Sequence, residues 1–121
     1  MCGINGIIFK TSKTDVSKIL KMNAFLDHRG PDDSGFINHN NLLLGHTRLS
    51  IIDTSNLGSQ PMSVDGRYWI IYNGEIYNYK TLREELILKK YKFYSNSDTE
   101  VVLNAYKEWG ADSFKRFNGE W

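Results

Sequence analysis

The chain has 121 residues, of which 40% are hydrophobic and 13% aromatic, so it can form one domain with an apolar core. Its 15 Lys and Arg against 14 Asp and Glu give a formal net charge of +1 without a basic run, which argues against nucleic-acid or acidic-membrane partners. One cysteine excludes an internal disulfide, and because we find no signal peptide or membrane span, we expect a cytoplasmic protein.

The first half of the chain predicts a strand, a helix and a hairpin. Residues 1–9 are apolar and strand-like, and Thr14-Asp15 marks a helix start. One face of that helix is formed by Val16, Ile19, Leu20, Asn23 and Leu26. Two apolar runs, Phe36-Ile37 and residues 42–44, are joined by His39-Asn40-Asn41, which is typical of a hairpin. A long polar loop is expected from Asp53 to Gly66.

The second half predicts further strands and two helices. Residues 68–72 have high β-propensity and run into Asn73-Gly74, a strong hairpin signal. Asn78 is expected to cap a helix with Leu82, Leu86 and Ile87 on its apolar stripe, followed by a short strand at 91–94. Ser97-Asp98-Thr99-Glu100 predicts a capping box that opens a second helix, which Gly110 ends. The element order predicts an α+β fold with largely antiparallel sheet.

The end of the sequence also carries a strand signal. Asn118-Gly119 is turn-like, and the residues after it resemble the start of a strand, so we expect a truncated domain whose sheet is incomplete at the C-terminus.

Cys2 lies directly behind Met1 and is the only cysteine. If Met1 is removed, Cys2 carries both a thiol and a free α-amine, with ordinary pKa values of about 8.5 and 7.7–8.0, so the amine can serve as the base for its own thiol. The alternative is an incidental small residue near a chain end, and residue 2 alone favours that alternative.

Other residues offer the remaining parts of an amide-cleaving site. The side-chain NH₂ of Asn73 and the backbone N–H of Gly74 can donate to an oxyanion, although Asn-Gly is also an ordinary turn. Arg48 can bind a carboxylate through two parallel hydrogen bonds, or it can pair with Asp53 or face solvent.

Two acids can receive a substrate ammonium group. Asp98 has a structural alternative, because an acid in the first turn of a helix is stabilised by the helix dipole. Glu75 has the alternative of an exposed hairpin glutamate. The charged, glycine-containing segment 28–35 is typical of a loop with a defined shape, and a structural role is one alternative for its charges. The histidines have no metal-ligand spacing and no phosphate loop occurs, so no metal site is expected.

Several motifs, in this order, resemble the N-terminal class II glutamine amidotransferase domain of glutamine-hydrolysing asparagine synthetase. They are Met1-Cys2-Gly3-Ile4, residues 28–32, residues 46–53, Gln60-Pro61-Met62, residues 73–78 and Ser97-Asp98-Thr99-Glu100. The resemblance covers residues 1–121 as the N-terminal part of that domain and stops before the synthetase domain.

The resemblance implies a role for each candidate. Cys2 matches the nucleophile that forms a γ-glutamyl thioester with glutamine and releases ammonia, while Asn73 and Gly74 match the oxyanion hole. The glutamine α-carboxylate is matched to Arg48, with Leu49, Ser50, Ile51 and Ile52 lining the site. Glu75 and Asp98 match the residues that hold the α-ammonium.

The resemblance also implies the four-layer αββα sandwich of the N-terminal-nucleophile hydrolases and a partner synthetase domain or subunit. ATP and Mg are expected only in that partner, and no cofactor is expected in this domain. Aspartate is the expected acceptor. A sugar or antibiotic precursor as acceptor, a non-catalytic binding fragment, and an oligomer all stay open.

Overall fold

The structure is a computed structural model that describes residues 1–121. The chain forms two compact units. Unit 1 comprises Met1–Ile51, Ser59–Pro61 and Ile71–Asn73, and unit 2 comprises Ile52–Gly58, Met62–Ile70 and Gly74–Trp121.

Unit 1 is a three-stranded antiparallel sheet with one helix. The strands β1 (Gly3–Ile8), β2 (Asp33–His39) and β3 (Leu42–Arg48) lie in the order β1-β3-β2. Helix α1 (Val16–Leu26) packs on β1 and β3 through buried Ile19 and Asn23. This confirms the predicted strand, helix and hairpin, because the apolar periodicity and the turn residues agree over this whole stretch.

Local signals set the ends of these elements. The Asp15 side chain accepts a hydrogen bond from the Ser17 backbone N–H at 3.1 Å, which caps α1 at its predicted start. The β2–β3 turn places Asn40 at φ 54°, a left-handed conformation that asparagine tolerates better than most residues. Leu20, which was predicted on the buried face of α1, is 49% exposed. The face that α1 buries is therefore narrower than the set of apolar residues along the helix suggests.

Unit 2 is built on two helices and a short sheet. Helices α2 (Tyr79–Leu88) and α3 (Asp98–Trp109) pack together, and β4 (Glu75–Ile76) pairs antiparallel with β5 (Gly119–Glu120). Every residue from Asp98 to Ala105 is buried, so α3 is the core element of this unit. Its core side chains include Ile76, Leu82, Leu86, Val101 and Leu103. The predicted strand at the end of the sequence is confirmed by β5, and Gly110 ends α3 as predicted.

Two strand predictions and one hairpin prediction in this half are wrong. Residues 68–72 form no strand apart from an isolated bridge between Ile70 and Met62, and residues 91–94 form none. Asn73-Gly74 is not a hairpin turn, because β4 pairs with β5, with Ile76 opposite Gly119. A strand needs a partner as well as β-propensity, and the partner of β4 lies more than forty residues away along the chain.

The start of α2 also differs from the prediction. Asn78 occupies the N-cap position but makes no capping hydrogen bond. Its amide nitrogen donates to the Arg116 carbonyl at 2.9 Å, and its oxygen accepts from the Asn118 N–H at 3.0 Å. The side chain therefore ties the start of α2 to the segment that leads into β5. Ile87, predicted on the apolar stripe, is 52% exposed.

The fold is thus α+β with two antiparallel sheets, as predicted from the element order. None of its helices combines the length and the apolar character that a membrane crossing requires.

Candidate active site

Cys2 is fixed by main-chain groups at the start of β1. The Leu49 backbone N–H points to Sγ at 3.4 Å, and Sγ lies 3.7 Å from the Leu49 carbonyl oxygen. The Arg29 Nε donates to the Cys2 carbonyl at 3.1 Å. The only thiol of the chain is therefore half-buried and held on two sides, which an incidental residue at a frayed end would not be.

Arg48 is the last residue of β3 and is only 6% exposed. The alternative of a solvent-facing arginine is therefore wrong. The main chain around it is set by the β2 side of the sheet, where the Asp32 N–H donates to the Arg48 carbonyl at 3.0 Å. The Asp32 carboxylate also accepts from the Ser50 N–H at 2.8 Å. Leu49 and Ser50 consequently leave the sheet along a defined path.

Gly30, between α1 and β2, lets the chain pass close to the backbone of residues 47 and 48. A Cβ at Gly30 would lie 2.4 Å from the Thr47 carbonyl carbon and 2.5 Å from the Arg48 nitrogen, so no other residue fits there without a backbone shift. Together with Arg29 and Asp32, this glycine supports the path of residues 47–50. The sequence left a structural role open for the charges of segment 28–35, and the contacts of Arg29 and Asp32 agree with such a role. The signal in the sequence was a glycine next to a proline, flanked by charged residues.

Asn73 is half-buried and follows a firmly held residue. The Tyr72 N–H donates to Gln60 Oε1 at 2.6 Å, and the Tyr72 carbonyl lies 3.2 Å from His46 Nε2. Burial lowers the pKa of His46, and the Arg48 charge lowers it further, while the Tyr72 carbonyl acts in the opposite direction. The ring is therefore favoured in its neutral form.

Asp98 is the first residue of α3 and is 5% exposed. Its Oδ2 accepts from the Ile76 N–H at 3.0 Å, which links it to β4, where Glu75 is exposed. Burial raises the pKa of Asp98, and the Glu75 carboxylate raises it further, against the lowering effect of the backbone N–H groups. The uncharged form of Asp98 is therefore favoured relative to that of a solvent-exposed aspartate.

The predicted capping box at the start of α3 is only half formed. Ser97 Oγ accepts from the Glu100 N–H at 3.3 Å as expected. Glu100 does not return to Ser97, because its carboxylate accepts from the Tyr94 N–H at 2.9 Å and from Ser95 N–H and Oγ at 2.7 and 2.6 Å. Glu100 is 1% exposed, so this carboxylate fixes the loop that leads to Asp98.

The predicted site residues are divided between the units. Unit 1 contains Cys2, Arg48, Leu49, Ser50, Ile51 and Asn73, and unit 2 contains Ile52, Gly74, Glu75 and Asp98. Within unit 1 the structure brings Cys2 to Leu49, next to Arg48, whereas Ile51 is 70% exposed. Within unit 2 it brings Asp98 to β4 beside Glu75. No group of three or more His, Cys, Asp and Glu side chains is arranged to hold a metal ion.

Comparisons with known proteins agree with the resemblance. A family model described as a glutamine amidotransferase domain matches residues 1–121. Asparagine synthetase [glutamine-hydrolyzing] 1 of Bacillus subtilis is 44% identical over 124 residues, which cover 98% of this chain and 20% of that protein.

Two further relatives show the same pattern. Asparagine synthetase [glutamine-hydrolyzing] 2 of Arabidopsis thaliana is 38% identical, over 98% of this chain and 21% of that protein. Asparagine synthetase B [glutamine-hydrolyzing] of Escherichia coli is also 38% identical, over 98% of this chain and 22% of that protein. The chain spans about a fifth of the length of these relatives, and because the family model matches it throughout, it belongs to the glutamine amidotransferase domain family, an enzyme family.

Proposed function

We propose that this domain hydrolyses L-glutamine through a thioester on Cys2. The Cys2 thiolate attacks the side-chain amide carbon, the C–N bond breaks, and ammonia leaves with the proton taken from the thiol. Water then attacks the γ-glutamyl thioester, releasing glutamate and restoring the thiol. After removal of Met1, which is 73% exposed, the α-amine of Cys2 is the base that carries this proton.

One observation carries the proposal: the only thiol is held at the start of β1 by the main chain of Leu49, in a chain that matches the family along its whole length. A nucleophile has to be fixed relative to the groups that bind its substrate. Here the fixing residue directly follows Arg48, the proposed carboxylate partner.

The other groups complete the proposed chemistry. Asn73 Nδ2 and the Gly74 N–H donate to the oxyanion that forms when the thiolate adds, and one such donor is worth about 2.7–4 kcal/mol of activation free energy. Arg48 binds the α-carboxylate. The backbone of residues 49–52 lines the site.

Asp98 and Glu75 receive the α-ammonium of glutamine. The position of Asp98 supports this role, because its Oδ2 accepts from the N–H of Ile76, the residue that follows Glu75 in β4.

The ammonia is proposed to serve an ATP-dependent amidation. The relatives are named as asparagine synthetases and are about five times longer than this chain, so a synthetase segment or subunit is the proposed consumer, with ATP and Mg bound there. Aspartate is the proposed acceptor, with a sugar or antibiotic precursor as the alternative. The αββα sandwich is the proposed complete fold and the cytoplasm the proposed location.

Intact-mass analysis tests the glutaminase proposal directly. The purified chain is treated with a diazo-ketone analogue of glutamine, and Cys2→Ala serves as the control. Loss of Met1 with one adduct on Cys2, together with ammonia release from glutamine, is expected. A retained Met1 or an unlabelled Cys2 would show that this chain is not a competent glutaminase.

A further inference from the structure

The main chain of Tyr72 is held from both sides within unit 1. Its N–H donates to Gln60 Oε1 at 2.6 Å, and its carbonyl lies 3.2 Å from His46 Nε2. A carbonyl oxygen can only accept, so Nε2 carries the hydrogen. His46 is 1% and Gln60 7% exposed, which shields both hydrogen bonds from water.

Both side chains have rigid bases. His46 lies within β3 opposite Gly35 of β2. A Cβ at Gly35 would lie 2.4 Å from the Gln60 carbonyl oxygen, so glycine lets the backbone of residue 60 pack directly on the sheet. The Gly35 carbonyl in turn accepts from Asn23 of α1 at 3.0 Å. The two groups that hold Tyr72 are therefore fixed by the sheet.

The peptide that they hold is the one that leads to Asn73. Residues 71–73 belong to no helix or strand, so no ladder of backbone hydrogen bonds sets their orientation. The Tyr72 carbonyl and the Asn73 N–H lie in one rigid peptide plane. A side chain that fixes this carbonyl therefore fixes the direction in which Asn73 leaves the sheet.

We propose that His46 and Gln60 are positioning residues that orient Asn73 as an oxyanion donor. This role rests on the glutaminase function proposed above. An oxyanion forms only when the thiolate adds to the amide, so a misplaced donor costs transition-state stabilisation and leaves ground-state binding unchanged. Loss of these two hydrogen bonds should therefore lower kcat alone, whereas a general disruption of the fold would change kcat and KM together.

The test compares kcat and KM for glutamine hydrolysis in paired variants of the chain. His46→Leu removes the donor to Tyr72, and His46→Gln restores an N–H of similar reach. We expect kcat to fall about tenfold or more in His46→Leu with KM within about twofold, and His46→Gln to recover within about threefold of wild type. His39→Leu changes an exposed histidine at the end of β2 and is expected to match wild type.

Gln60→Leu and Gln60→Glu provide a second pair, because glutamate keeps an oxygen acceptor for the Tyr72 N–H. We expect a lower kcat in Gln60→Leu than in Gln60→Glu. If His46→Leu does not fold, this second pair tests the positioning role by itself. Equal kcat values within each pair, in a chain whose wild type hydrolyses glutamine, overturn the positioning role alone. A wild-type chain without hydrolysis overturns the glutaminase function and this role with it.

Discussion

Units 1 and 2 hold their candidate site residues by different means. In unit 1 the backbone of neighbouring strands does so: Leu49 flanks the Cys2 sulfur, and the β2–β3 register sets the position of Arg48. The decisive contacts run between main-chain groups, or from a main-chain group to a single side chain. Space for close backbone approach is therefore the critical property of this unit.

In unit 2 buried carboxylates hold the main chain around the candidate site residues. Asp98 accepts from the Ile76 N–H, and Glu100 accepts from the backbone at residues 94 and 95. Asp98 thus bonds to the main chain of β4, and Glu100 bonds to the main chain of a loop that has no strand partner. Unit 1 should consequently be sensitive to added volume and unit 2 to lost acceptors, and the following predictions test that contrast.

The largest expected effect concerns function in unit 1. Cys2→Ala removes the nucleophile, so glutamine hydrolysis should fall at least about 1000-fold, because no other thiol exists in the chain. Cys2 is half-buried and makes only weak sulfur contacts, so the melting temperature should change by no more than about 2 °C. Wild-type turnover in this variant, measured by ammonia release, would remove Cys2 from the mechanism.

Gly30→Ala tests whether the close approach of residue 30 to the backbone of residues 47 and 48 stabilises unit 1. A Cβ 2.4 Å from the Thr47 carbonyl would force the segment at residue 30 away from β3, so the free energy of unfolding should fall by about 3 kcal/mol in urea titration. Gly6→Ala is the control, at a glycine of β1 that also faces β3; a Cβ there would lie 3.2 Å from the nearest Leu44 atom, and a loss of at most about 1 kcal/mol is expected. Equal losses would contradict the special role of Gly30.

Arg48→Lys tests the proposed carboxylate partner. A lysine ammonium cannot reproduce the two parallel hydrogen bonds of the guanidinium, so KM for glutamine should rise about tenfold or more, with a smaller change in kcat. Steady-state kinetics with glutamine give both constants. If KM stays at the wild-type value, Arg48 does not bind the substrate.

Glu100→Gln tests the acceptors of unit 2. The amide supplies one oxygen where the carboxylate supplies two, so the part-buried Tyr94 N–H or the buried Ser95 N–H loses an acceptor and the free energy of unfolding should fall by about 1–3 kcal/mol. Glu84→Gln changes an exposed glutamate on α2 and should stay within about 0.5 kcal/mol. A similar result for both variants would argue against an acceptor role for Glu100.

The smallest effects concern pH and have opposite signs in the two units. The pKa of His46 is lowered in the fold, so the unfolded chain binds more protons below about pH 6.5, and the contribution of neutral His46 is lost as pH falls. The pKa of Asp98 is raised, so the folded chain binds more protons above the ordinary value of 3.8, and the cost of its charge disappears as pH falls through the raised pKa.

Urea titrations across the acid range can separate the two groups. His46→Gln should flatten the stability profile between neutral pH and the lowered pKa of His46, and Asp98→Asn should flatten it near the raised pKa of Asp98. Unchanged profiles in both variants would show that neither group couples folding to pH.

The sequence alone predicted the elements of unit 1 and the ends of α3. In β1, α1 and the β2–β3 hairpin, the apolar period and the turn residues lie within a short stretch and agree with each other. The same is true of Ser97 at the start of α3 and Gly110 at its end. The family motifs likewise identified the domain, because their order is a property of the chain itself.

Only the tertiary structure decided how residues 68–78 are used. Their β-propensity and the Asn73-Gly74 pair predicted a hairpin, yet the Tyr72 backbone is held by the side chains of His46 and Gln60. Asn78 likewise bonds to residues near the end of the chain, and not to the helix that it precedes. Each of these partners is distant in sequence, and a local pattern contains no information about which distant group will satisfy a backbone hydrogen bond.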